Sequence, residues 1–150
     1  MDEFLTYPAP GFHFAVYFNG LAPSPIDLSF QSVSGLTVTI ETEPLNAGGP
    51  SYLHKDLPVG LKFENLKLKR GLKPTPSPLT KWCEHAFEDF KFKPLDLLIV
   101  LMDENHLPLH SWKVIQAYPC KYDIGEFNAE TASVVIETLE LKYQYFKTIY

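Results

Sequence analysis

Short runs in which apolar and polar residues alternate, each closed off by proline or glycine, constrain this chain more than any other feature. In FHFAVYF, Phe12, Phe14, Val16 and Phe18 fall on one face and His13, Ala15 and Tyr17 on the other, which is the period of two of a β-strand. Ile26, Leu28 and Phe30 alternate with Asp27, Ser29 and Gln31, and Leu36, Val38 and Ile40 with Thr37, Thr39 and Glu41. That predicts second and third strands, each with one wet face. Asn19-Gly20, Pro23, Pro25 and Ser34-Gly35 mark the breaks between them. With 13 prolines, 8 glycines and 14% aromatic residues, the chain suits many short strands better than a helical bundle.

From Glu43 to Gly60 the alternation dissolves among Pro44, Asn46, Gly48, Gly49, Pro50 and Pro58. Long loops of this kind are usually functional or disordered. This one keeps the apolar anchors Tyr52, Leu53 and Leu57, so it reads as a surface that docks on a partner. Leu61 and Phe63, then Leu66 and Leu68, resume a strand with a slip of phase at Asn65, where a β-bulge is expected. Ser77 can cap a helix and Pro78 suits its first position. Leu79, Trp82, Ala86 and Phe90 follow at helical spacing, with Cys83 and Phe87 widening the stripe. Leu95 to Met102 is apolar on both faces apart from Asp96, as in a strand covered on both sides. Trp112 to Tyr118 is a further strand ended by Pro119, and Ser133 to Phe146 a long terminal one.

The pattern predicts a mainly β protein: an antiparallel β-barrel or two-sheet sandwich with one packed α-helix. A single domain over 1–150 is expected, since no repeat or linker divides the chain, with 1–10 as an N-terminal arm and 43–60 as the extended loop. The net charge of -5 argues against gripping a phosphate backbone, and the lysines between Lys62 and Lys73 read as a strand's solvent face. No apolar run approaches the ~20 residues that span a bilayer, and MDEFLTYPAP lacks the features of a secretory signal. Cys83 and Cys120 fit no metal spacing and read as reduced, partly buried small hydrophobes.

Catalysis finds no support in the residues. His106 and His110 stand four apart, but Pro108 between them denies the helix such a metal pair needs. Glu137 and Glu140 fall on opposite faces of a regular strand and cannot share a substrate. No nucleophile elbow, phosphate loop or dinucleotide fingerprint occurs. Neither a catalytic residue, a metal nor a cofactor is expected. What stands out instead is many strands with few residues to cover their edges, an anchored loop, and the aromatic ending KYQYFKTIY. Meeting copies of itself would resolve those edges by closing a ring. The rival reading is a monomeric β-barrel that binds a small apolar ligand under the loop as a lid.

Several motifs in collinear order resemble the tail-tube protein family of contractile phages and phage-tail-like injection systems. They are Tyr7-Pro8 with FHFAVYF, QSVSGL at 31–36, ETEPLNAGGPSY followed by LPVGL, NLKLKRGL at 65–72, LIVLMDENHLPLHSWKVIQAYP, and SVVIETLEL. The likeness runs from about Tyr7 to Leu141, with a longer first turn (NGLAPSPID) and a proline-rich approach to the helix (KPTPSP) as departures.

The resemblance implies a structural subunit, not an enzyme, that assembles into homo-hexameric rings stacked as a hollow conduit. It would serve either in the main tube or as the baseplate tube initiator. It assigns Glu43, Leu45, Gly48, Gly49, Tyr52, Leu53, His54 and Leu57 to inter-subunit contact through the loop. Leu139, Leu141, Tyr143 and Tyr145 are expected to make contact through the terminal strand. Implied partners are further copies, tube or baseplate paralogues, a surrounding sheath and lumen cargo, with no membrane anchor and no specific nucleic-acid recognition. Assembly is expected in the bacterial cytoplasm, within a phage tail or a contractile injection particle.

Overall fold

The alternation of the first run is realised as strand β1 (His13–Phe18), which buries Val16 and Phe18 and exposes Tyr17. The computed structural model describes residues 12–45, 55–72, 75–125 and 135–150. After β1 come a single helical turn, α1 (Pro25–Leu28), and the short strands β2 (Ser29–Phe30) and β3 (Ser32–Ser34). They are followed by β4 (Val38–Leu45), β5 (Lys55–Phe63), β6 (Leu66–Gly71) and helix α2 (Pro78–Phe87). The chain continues through β7 (Leu95–Met102), β8 (Pro108–Ile124), β9 (Ile136–Lys142) and β10 (Tyr145–Thr148).

Eight strands form one sheet in the order β2-β1-β7-β8-β9-β6-β3, with β10 also paired to β8, and β4 and β5 form a separate two-stranded ribbon. Every pairing among the described strands is antiparallel. Strand β8 belongs to both halves of the sheet. Its first half pairs with β7 and β10, and its second half with β9. Between the halves Leu95 faces Ala117 while Leu97 faces Val114, so β8 carries one extra residue. The backbone of Gln116 takes φ 56 there, and its N–H donates to Asp96 Oδ1 at 3.0 Å. A bulge of this kind bends the strand and sharpens the twist, and here it folds one sheet into two facing layers.

The two-sheet expectation therefore holds, but the sheet is not closed into a barrel. Its end strands β2 and β3 are neighbours in sequence through Gln31, whose N–H donates to Lys69 O at 2.8 Å. Among the described residues no ladder joins β2 to β3. They carry the chain from one edge of the sheet to the other, and with only Gln31 between them the chain cannot turn back to pair one with the other. The interior is filled by side chains: Val16, Leu66, Leu68, Leu97, Ile99, Val114 and Leu141 are fully buried.

Helix α2 covers this core with Leu79, Trp82, Cys83 and Ala86. Ser77 caps it as expected, its Oγ accepting from the Thr80 N–H at 3.3 Å, with Pro78 in the first turn. Phe87 and Phe90 depart from the predicted stripe: both are exposed, Phe90 at 80%. The helix ends at Phe87, so the helical spacing that would have brought Phe90 onto the core face stops before it.

Other differences share a cause, the hydrogen bonding of the backbone irrespective of side-chain pattern. Residues 25–28 are helical because Pro25 sets the first helical φ and the Asp27 N–H reaches Ser24 O at 3.0 Å. The third strand starts later than predicted and runs on to Leu45, and the irregular stretch is strand again from Lys55. Pro44 and Pro58 are tolerated because both ribbon strands are edges. Its register shift lies between Glu41 and Thr42, whereas Glu64 and Asn65, where a bulge was expected, are the break between β5 and β6. Strand β8 continues through Pro119, and the terminal strand divides into β9 and β10 at Tyr143 and Gln144. Among the described residues no helix is long and apolar enough to cross a membrane.

Candidate assembly surface

The β4–β5 ribbon stands outside the sheet, and all of its residues but Phe63 are exposed. Pairing places Val38 opposite Phe63 and Ile40 opposite Leu61, which gathers four apolar side chains on one face at the ribbon's root. Ile40 is 60% and Leu61 61% exposed. The opposite face carries Thr39 against Lys62 and Glu41 against Gly60. A two-stranded ribbon is marginal alone in water, and an uncovered apolar face of this kind marks an interaction surface.

The ribbon is anchored to the sheet by aromatic rings. Phe63 meets Tyr143 and Phe146 edge-on, with centroids 5.9 and 5.5 Å apart. The Tyr143 hydroxyl donates to Gly35 O at 3.2 Å, and burial pushes its pKa up to about 12. Gly35 has φ 93, and a Cβ there would lie 1.9 Å from Asn65 O. Only glycine permits the ribbon's entry and exit to pass so closely.

Of the residues expected at subunit contacts, Glu43, Leu45 and Leu57 lie exposed towards the far end of the ribbon, Glu43 facing Leu57. Gly48, Gly49, Tyr52, Leu53 and His54 lie outside the described residues. Leu139 and Leu141 are buried in the chain's own core at 5% and 0% exposure. They share one face of β9 with Glu137, and that face is the one turned to the core. Tyr143 stands half-buried at the root of the ribbon, and Tyr145 is exposed on β10 with the Lys147 ammonium 5.6 Å from its ring centre.

The histidines of the β7–β8 turn go separate ways. His106, at φ 62, lies with its Nδ1 3.0 Å from His13 Nε2, while His110 Nδ1 lies 3.1 Å from Tyr150 O. Glu137 and Glu140 do take opposite faces of β9. Glu137 is buried and Glu140 accepts from Asn65 Nδ2 at 2.9 Å.

Beneath α2 lies a buried ionic cluster that the sequence did not announce. Arg70 is 6% exposed, though it falls in the run read as a solvent face. Its Nη1 is 3.3 Å from Asp27 Oδ1, and its Nε donates to Glu137 Oε1. The Tyr122 hydroxyl donates to Glu137 Oε2. Burial and the Glu137 carboxylate push the Tyr122 pKa upward, and burial pushes Cys83, beside the cluster, up to about 12. A cleft of about 300 Å³ opens over Arg70, Cys83, Tyr122 and Glu137. The sequence clue was phase: Arg70 shares parity with buried Leu66 and Leu68 on β6.

The T4-like virus tail tube protein gp19 family matches residues 10–147 of this chain. The chain belongs to that family. Membership makes it a tail-tube-type structural protein, as the order of motifs implied. Among solved structures it is similar to a chain of the anti-feeding prophage baseplate, determined by cryo-EM and 6-fold symmetrised. The two are 30% identical over 96% of this chain and 97% of that one, with a TM-score of 0.78. The fold also recurs in the sheath-tube complex of an extracellular contractile injection system, PVC, in its extended state, at 21% identity, 99% and 98% coverage and a TM-score of 0.71. It recurs again in Hcp1 from Flavobacterium johnsoniae, at 14% identity, 91% and 94% coverage and a TM-score of 0.58. No curated protein sequence matches the chain.

Proposed function

We propose that this tail tube family member is a non-catalytic subunit that assembles into hexameric rings, stacked as the hollow conduit of a contractile tail or injection system. The observation that carries the proposal is the ribbon whose apolar face, Ile40 and Leu61 foremost, has no cover within the described chain. The 6-fold symmetrised baseplate relative, at 30% identity, supports a ring of six and a place in or next to a baseplate. Either the main tube or the initiating ring at the baseplate is compatible with that reading. Neighbouring rings, tube or baseplate paralogues and a surrounding sheath are its partners, and any cargo passes through the lumen.

The mechanism is mechanical. Pairing of exposed ribbons and sheet edges between copies would satisfy their hydrogen bonds and bury their apolar side chains. Contacts of obligate size, ~2,000 Å² or more, are needed to hold a channel open under load. Sedimentation and native mass measurement of the purified chain, with electron microscopy, test this. Rings or tubes are the expected result, and a monomer at high concentration with neither would end the proposal. The rival reading, a ligand-binding barrel, is the weaker one because the sheet is not closed into a barrel.

A further inference from the structure

On the side of α2 away from the ionic cluster lies a second cleft, of about 510 Å³, with a different character. Leu21, Pro78 and Phe92 give it an apolar floor, and Lys81, Lys91 and Lys93 stand at its rim. No carboxylate lines it. His85, which also lines it, lies with its Nδ1 3.2 Å from Asp89 Oδ2. All three lysines are exposed, and Phe92 is 43% exposed.

The backbone holds this arrangement firmly. Phe90 takes φ 51, a conformation that usually falls to glycine or asparagine after a helix. The turn lets the Lys91 N–H donate to His85 O at 2.8 Å, and Trp82 Nε1 donates to Lys93 O at 2.8 Å. Residues 91–93 are thereby pinned back along the helix, so Lys91 and Lys93 are displayed on a fixed frame beside Lys81.

A matching surface exists on the same chain. Along β4, Glu41, Glu43 and Leu45 share one face by strand parity, all exposed, and β4 carries no cation. Two carboxylates about 7 Å apart, followed by an apolar side chain, complement a lysine rim over an apolar floor. We infer that the Lys81–Lys91–Lys93 cleft is the dock for the acidic β4 edge of a second copy's ribbon. This inference rests on the ring-assembly reading and adds where the ribbon lands and why it recognises that place.

The test is a charge swap in the full-length chain, read by sedimentation equilibrium and electron microscopy. Lys91→Glu with Lys93→Glu should weaken association about tenfold or more, and Glu41→Lys with Glu43→Lys should do the same. Mixed together, the two charge-reversed proteins should associate with each other better than either does with itself. Raising salt from about 0.05 to about 0.5 M should weaken the parent and narrow its lead over the reversed proteins, since screening reduces attraction and repulsion alike. All four positions are exposed, so unchanged far-UV signal and melting are expected of both variants. Reversed variants that assemble like the parent overturn the inference while rings persist, which leaves the assembly reading standing. Weakened variants that fail to rescue each other overturn the choice of β4 as the occupant. A parent that never assembles overturns both.

Discussion

The Asp27 carboxylate accepts a hydrogen bond from the backbone N–H of Leu79 at 3.2 Å, across 52 positions of sequence. Its Oδ1 also accepts from the Ser77 hydroxyl at 2.6 Å and lies 3.3 Å from Arg70 Nη1. One buried anion thus stabilises the start of α2 and offsets a buried cation. Asp27→Ala leaves a helix-end donor and part of the guanidinium unmet. It should cost about 2–4 kcal/mol, measured by urea unfolding. Asp27→Asn, which keeps an acceptor for Leu79, should cost roughly half as much.

The part of the stability that the Cys83 thiol carries should be constant below about pH 9 and fall above it. The Cys83 thiol has an ordinary pKa of 9.0, and burial raises it to about 12 in the folded chain. The unfolded chain therefore loses that proton first. The stabilising contribution is fully present below pH 9 and is lost as pH rises through the folded value, at most about 4 kcal/mol. Tyr122 and Tyr143, both raised by burial, act in the same direction. Thermal melts of the parent and of Cys83→Ala between pH 8 and pH 11 check this. The variant should start lower through lost packing but decline less steeply with pH.

Gly35→Ala should be among the most damaging single substitutions. The new methyl would meet the Asn65 carbonyl at 1.9 Å from a backbone at φ 93. Neither backbone can yield without moving the root of the ribbon, so a loss of about 3 kcal/mol or more is expected. A melting curve close to the parent's would contradict the close approach described here.

Ile40→Ser and Leu61→Ser should separate folding from assembly. Both positions are exposed in the isolated chain, at 60% and 61%, so its melting should change by less than about 0.5 kcal/mol. Association should drop about tenfold for each, because each loses roughly 1.5 kcal/mol of apolar burial at the interface.

Phe90→Gly should raise the melting temperature. Phenylalanine at φ 51 is strained, and at 80% exposure its ring adds little burial. Relief of about 1 kcal/mol is expected, reduced by the lost edge contact with Phe92 at 4.8 Å. A fall in melting temperature would mean that the aromatic contact outweighs the strain.

Strands with one wet face were legible because alternation survives in the side chains: β1, β6 and the amphipathic α2 all follow from it. The ribbon was legible only in part. Val38 and Ile40 alternate with Thr39 and Glu41, and Leu61 and Phe63 flank Lys62, so the root of each strand could be read, but towards the far end Pro44, Pro58 and Gly60 imitate a loop. A different blindness hid Arg70 and Asp27, since nothing local reveals that residues 43 positions apart meet under a helix. On β9, Leu139 and Leu141 share the core face with Glu137, and their apolar character alone could not tell a chain's own core from a contact between copies.

By itself, then, the order of residues determined the mainly β class, the capped helix, and membership of a tube-forming family, because periodicity, caps and collinear motifs are local and survive in one dimension. Only the tertiary structure decided that the sheet stays open, that the ribbon stands uncovered, and that Lys81, Lys91 and Lys93 share one rim. Those facts depend on which distant backbones exchange hydrogen bonds, and a pairing across the fold leaves no mark on either strand read alone.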